Sequence, residues 1–173
     1  MIAPVEGAAS PVRVVIYEDL QCPDSAHFRA MLDEQLLPRY GAKVRFEHRD
    51  FPLPKHNWAR QAAIAARFFE ERQPGLGVTY RKQTLANLRT IHLYNFNEHL
   101  SQFAKEHGVD PTQAVAALND QNLAALVDKD YQDGVASGIA RTPTILVNGK
   151  PFIETFTFED VSKAIDASLA SSK

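Results

Sequence analysis

The sequence predicts an α/β fold: a central mixed sheet flanked by helices, with an all-helical insertion. Three observations lead there. Short β-branched or alternating stretches occur only towards the two ends of the 173-residue chain. Between them, from Lys55 to Ser137, no convincing strand appears and the pattern is helical. Neither terminal pair of strands could bury an apolar face alone, so both pairs share one sheet and the helical block lies over it. The length fits one domain with a subdomain inserted into it. The expected boundaries are residues 1–54 with 138–173 for the sheet domain and 55–137 for the insertion.

Met1 to Pro11 is small, polar and proline-containing, and reads as an arm. Val12 to Tyr17 is short and β-branched, as in a buried strand. Ser25 to Tyr40 places Phe28, Met31, Leu32, Leu36 and Leu37 on one helical side, and Gly41 follows as a stop. Lys43 to Arg49 alternates at period two, which predicts a strand with one wetter face. A strand, a helix of this length and a strand form a βαβ unit, so the two strands should be parallel. Phe51-Pro52-Leu53-Pro54 then breaks the pattern.

Helices are expected over Asn57–Arg72 and Thr79–Thr90. Asn95 with Glu98 reads as a capping-box start for a helix running to about His107, before Gly108. Asp110-Pro111 repeats the start signal with proline in the first turn. Gln121 to Val135 should be helical and end at Gly138. Thr144 to Val147 is a strand, and Asn148-Gly149 is a strong two-residue hairpin signal leading into Pro151 to Glu154. Thr157 caps a last helix to about Ala170, with Val161, Ile165 and Leu169 on one side.

A hydrophobic share of 45% and a charged share of 23% suit an ordinary globular chain. The formal net charge of −2 gives no electrostatic basis for binding nucleic acid or an anionic membrane surface. No run of 18 apolar residues occurs, so no membrane span is expected. Met1 to Ser10 lacks the basic and apolar segments of a signal peptide. A mature exported protein and a cytoplasmic one both fit that.

Cys22 is the only cysteine, which excludes an internal disulfide and a cysteine-rich zinc site. It stands where a strand turns into a helix, and a helix N-terminus favours the thiolate. Asp24 is negative and opposes that. A buried, inert cysteine is the plainer alternative. Glu18 and Asp19, at the strand's end, read as solvated loop acids, because Val14, Val15 and Ile16 fill the strand interior. The histidines show no metal-ligand spacing, so no metal or other cofactor is expected. His27 should lie on the surface, and Trp58, Phe68 and Phe69 in the core.

Tyr17 to Ser25, with the segment Leu53 to Ala59 and the stretch Gly138 to Gly149, resembles DsbA-like thiol-disulfide oxidoreductases of the thioredoxin fold. The likeness runs through nearly the whole chain. It implies a Cys-x-x-Cys motif in which the first cysteine attacks a disulfide and the second resolves the mixed disulfide. Cys22 matches the first position, Pro23 and Asp24 lie between, and Ser25 stands at the second. The resemblance also implies a cis Thr142-Pro143 facing the cysteine. Such a bond exposes the backbone of the residue before the proline to an extended substrate. The implied partners are protein or peptide disulfides and thiols, with glutathione or a redox partner protein to complete turnover. The implied location is periplasmic or secreted.

A serine cannot displace a thiolate, so Ser25 leaves three accounts open. It replaces a cysteine by design in a dithiol enzyme. It is natural, and Cys22 works as a single thiol resolved by glutathione or by the substrate's own thiol. Or turnover is lost, and the chain is a module that binds extended or unfolded polypeptide. In a dithiol version, Asp24 would favour the disulfide and make the motif less oxidising.

Overall fold

The computed structural model describes residues 4–172. Five strands form one mixed sheet: β1 (Val5–Gly7), β2 (Arg13–Glu18), β3 (Arg45–Asp50), β4 (Thr144–Val147) and β5 (Lys150–Ile153). Their order across the sheet is β1-β3-β2-β4-β5. β2 and β3 run parallel, as the βαβ pattern requires, and the other three pairings are antiparallel. The strands from the two ends of the chain meet where Val14 to Tyr17 pairs with Thr144 to Val147.

β1 lies in what reads from sequence as an arm, whose first residues, Met1 to Ala3, fall outside the described ones. Local propensity gives Val5-Glu6-Gly7 no strand signal; the free edge of β3 does. Gly7 has φ +82°, and a Cβ there would stand 2.3 Å from the Val44 carbonyl oxygen. Any other side chain would push the strand off that edge.

α1 (Pro23–Met31) follows β2 and continues through a π turn, Leu32–Leu36, into α2 (Leu37–Tyr40). Pro38 explains the turn. It has no N–H to bond the preceding turn and its ring crowds the carbonyl there, and the Leu37 amide donates to the Leu32 carbonyl, five residues back. The insertion comprises α3 (Ala59–Arg72), α4 (Leu76–Ala86), α5 (Phe96–Glu106), α6 (Pro111–Ala116) and α7 (Gln121–Ala136). Asp110 and Asp120 cap α6 and α7 by accepting from backbone amides. The cap expected of Asn95 and Glu98 is displaced by one turn. Asn95 Oδ1 accepts from the His92 amide at 2.7 Å, ahead of a short 3-10 turn, and α5 begins at Phe96. α4 also starts earlier than expected, because left-handed Gly75 (φ +87°) sets its entry.

The hairpin forms as expected, with Asn148 and Gly149 both at positive φ. Thr157 accepts from the Asp160 amide and caps α8 (Phe158–Ser171).

Two large apolar clusters result. One joins the sheet to α1 and α8 through Val14, Ile16, Phe46, Ile145, Val161 and Ile165. The other lies within the insertion around Trp58, Phe69, Phe96, Leu100 and Phe103. Leu20, in the turn after β2, packs into the second cluster. Burying such a side chain is worth roughly 1.5–3 kcal/mol, so the turn is anchored in the insertion.

Candidate active site

β2 ends at Glu18 and the chain turns sharply. The Cys22 amide donates to the Asp19 carbonyl at 3.0 Å. Cys22 is the N-cap of α1 in an extended conformation, and its side chain caps nothing. Pro23 takes the first helical position, where a missing N–H leaves nothing unpaired. Asp24 lies exposed in the first turn. Cys22 is 6% exposed and stands at the positive end of the helix.

The Thr142-Pro143 peptide is cis. It lies opposite the helix start, and the Cys22 thiol donates to the Thr142 carbonyl oxygen across 3.5 Å. Thr142 is buried, and its hydroxyl has no hydrogen-bond partner among the described residues. The β2–β4 ladder sets this meeting: pairing Tyr17 with Thr144 carries the residues just before β4 to the end of β2. A cleft of about 650 Å³ opens beside the thiol, lined by Cys22, Leu53, Pro54, His56, Arg141 and Thr142 among others.

Ser25 is 1% exposed, and its hydroxyl accepts from the Asp19 amide at 3.3 Å. The residue three positions after Cys22 is therefore tied to the turn before it. His27 is exposed, and Trp58, Phe68 and Phe69 are buried. Among the described residues no cluster of histidine, cysteine or acid side chains could hold a metal ion.

Glu18 and Asp19 overturn the expectation of solvated loop acids, being 3% and 1% exposed. Asp19 ties the site together. Its Oδ1 accepts from the Gln21 amide at 2.7 Å. Its Oδ2 accepts from the Leu53 amide at 2.7 Å and pairs with His56 Nδ1 at 2.7 Å. Glu18 faces the interior instead. His48 Nδ1 lies 2.7 Å from Glu18 Oε1, and His48 Nε2 lies 2.6 Å from Glu6. Arg81 bridges Glu18 at 3.2 Å and Asp50 at 2.7 Å. Arg67 continues to Asp50 at 2.7 Å and to Asp130. Glu6 in turn holds Arg29, which also pairs with Asp33.

This chain of ions fixes protonation states. Burial alone would lower the pKa of His48, but the Glu18 and Glu6 carboxylates outweigh it and raise the value. Burial would raise Asp50, but Arg81 and Arg67 overcome it and bring Asp50 down to about 2. Glu18 is likewise lowered against burial, by His48 and Arg81. Reading the sequence misses this network because its partners, apart from Arg29 and Asp33, are 17 to 63 residues apart. One signal was present: Arg67 sits amid Ala62, Ala63, Ala66, Phe68 and Phe69, where a lone cation implies a buried partner.

Residues 6–167 match the family described as Thioredoxin. Among solved structures the chain is similar to oxidised BdbD from Bacillus subtilis, with a TM-score of 0.87 and 22% identity, covering 97% of this chain and 93% of that one. It is also similar to the thiol-disulfide exchange protein alpha-DsbA2 from Wolbachia pipientis, with a TM-score of 0.82 and 18% identity, covering 95% and 86%. At these identities the likeness is one of fold. A curated relative, the Na(+)/H(+) antiporter NhaA of Herminiimonas arsenicoxydans, is 28% identical over 156 residues, 90% of this chain and 24% of that protein. The chain thus spans about a quarter of the length of the curated relatives it matches. The family match takes in both ends of the sheet and the helices between them, and on that extent the chain belongs to the thioredoxin family.

Proposed function

We propose that the chain carries out thiol-disulfide exchange on protein or peptide substrates, with Cys22 as nucleophile. The observation behind this is the thiol at the start of α1, 3.5 Å from the Thr142 carbonyl of a cis peptide, beside an open cleft. The thiolate is the attacking form, and an extended substrate could pair with the backbone at Thr142. Pro23 starts the helix, and Asp24 tempers the positive field there. The match to the thioredoxin family and the likeness to a thiol-disulfide exchange protein support the same reading.

Ser25 decides how turnover ends. Attack by Cys22 breaks the substrate disulfide and leaves a mixed disulfide that a hydroxyl cannot resolve. For the chain as it stands, an external thiol must do so, either glutathione, a partner protein or a second thiol of the substrate. This suits isomerisation or glutathione-dependent exchange better than stoichiometric oxidation. Trading disulfides fits a periplasmic or extracellular setting. The division into residues 1–54 with 138–173 and 55–137 belongs to the same proposal, supported by the insertion's own apolar cluster. Among the described residues no helix is long and apolar enough to cross a membrane.

The test is to incubate the chain with a disulfide-bonded peptide and follow the Cys22 mixed disulfide by intact mass, then add glutathione. The expected outcome is accumulation of the adduct and its discharge by glutathione, both absent in Cys22→Ala. Ser25→Cys should discharge the adduct without glutathione. If Cys22→Ala and the unaltered chain suppress client aggregation equally and no adduct forms, the chain is a binding module instead.

A further inference from the structure

We propose that His56 is the general base of the exchange reaction, aimed by Asp19 at thiols that enter the cleft beside Cys22; this rests on reading Cys22 as the nucleophile. An incoming thiol must lose its proton to attack, and the motif itself has no group to take it. The strand leading to it is apolar at Val14 and Ile16, and the Ser25 hydroxyl is engaged with the Asp19 amide. Glu18, the nearest strand acid, is committed to His48 and Arg81 in the interior.

His56 has the required geometry. Its Nδ1 lies 2.7 Å from Asp19 Oδ2, and an ionised carboxylate only accepts. Nδ1 is therefore the donor, and in the neutral ring Nε2 keeps the lone pair. Nε2 makes no hydrogen bond among the described residues. The side chain is 17% exposed and lines the same cleft as Cys22. Asp19 also sets the register between base and nucleophile, because its carbonyl holds the Cys22 amide while its carboxylate holds His56 and the Leu53 amide.

The other charged groups on the cleft are Asp24 from the start of α1, Lys55 from the same loop, and Arg141 and Glu154, which pair with each other at 3.3 Å. Carboxylates as a class are too weakly basic near neutrality, and ammonium and guanidinium groups hold their protons. Imidazole is the side chain suited to taking a proton there.

The step balances. The incoming thiol gives its proton to His56 Nε2, and its sulfur attacks the substrate sulfur of the mixed disulfide. A new disulfide forms between that thiol and the substrate, and the bond to Cys22 breaks. Cys22 leaves with the electron pair of the broken bond as a thiolate; its sulfur passes from the disulfide to the thiol oxidation level, and the sulfur of the incoming thiol rises by the same amount. The imidazolium then returns its proton to solvent.

The experiment follows discharge of a preformed Cys22–peptide mixed disulfide by excess glutathione from pH 5 to 9. The unaltered chain should show an ascending limb beyond that due to glutathione's own ionisation. His56→Gln should lose that limb and slow discharge roughly 10²-fold at neutral pH. His56→Ala should be slow and recover in added imidazole, with circular dichroism and thermal midpoint showing both variants folded. Equal rates and profiles in His56→Gln and the unaltered chain would overturn the role of His56 alone. So would a slow His56→Ala that imidazole leaves slow. No discharge by the unaltered chain at any pH would remove the exchange reading and this inference with it.

Discussion

Two acid–histidine pairs begin at neighbouring residues and serve different ends. Glu18 meets His48 at 2.7 Å, and Asp19 meets His56 at 2.7 Å. The His48 side chain is wholly enclosed, and cations and carboxylates from β1, β3, α3 and α4 surround its pair. His56 opens onto the cleft at Cys22. The chemistry of the two pairs is alike, but access to solvent is not. An enclosed pair can only hold charge in place, whereas one at a cleft can exchange a proton with what enters. Successive strand-end residues point to opposite sides, so one step along the chain separates structure from chemistry.

The sharpest way to break the comparison is at Arg81. Arg81→Ala would leave Glu18 and Asp50 buried with one cation fewer. Breaking a buried pair from one side costs about 3–5 kcal/mol, so the urea midpoint should fall steeply. The folded fraction should still form the Cys22 adduct at an unchanged rate. A midpoint within about 1 kcal/mol of the parent would deny the network its structural role.

Asp19→Ala strikes the other pair and should show the mixed pattern. Orphaning the Leu53 and Gln21 amides costs about 1–3 kcal/mol, less than at Arg81, but discharge of the mixed disulfide should slow as His56 loses its partner. Full retention of the discharge rate would separate Asp19 from the chemistry.

The pH dependence of stability sharpens the contrast without removing any group. His48 has a raised pKa when folded. Its contribution is complete below the unfolded histidine value of about 6.5 and fades as the pH climbs through the raised one. Asp50 is lowered to about 2. Its contribution is present above the unfolded value of about 3.9 and fades as the pH falls towards 2. Thermal midpoints should decline on both sides, and His48→Gln should abolish the alkaline decline. The smallest effect belongs to the exposed Arg60–Asp128 pair, half accessible on both sides. Arg60→Ala should cost about 1 kcal/mol or less, and a larger loss would mean that exposure is a poor guide to which pairs matter here.

Much of this fold is legible in the sequence. The Val12–Tyr17 and Thr144–Val147 strands, the Asn148-Gly149 turn and the caps at Asp110 and Thr157 depend on residues close in the chain. Their backbone preferences act whatever the surroundings. β1 is illegible because only the β3 edge makes Val5-Glu6-Gly7 a strand. The Asn95 cap is misread by one turn because Ser, Thr, Asn and Asp can serve either of two adjacent turns.

The site divides in the same way. From sequence alone come Cys22 at a strand-to-helix turn, Ser25 three residues further on and Thr142-Pro143 before a strand. Each is a matter of residue type and local order. Only the tertiary structure brings the Cys22 thiol to the Thr142 carbonyl, 120 residues away, and buries Glu18 and Asp19 against partners 30 to 63 residues distant. Periodicity reports which side of a strand a residue faces. What it meets on that side depends on where the rest of the chain packs.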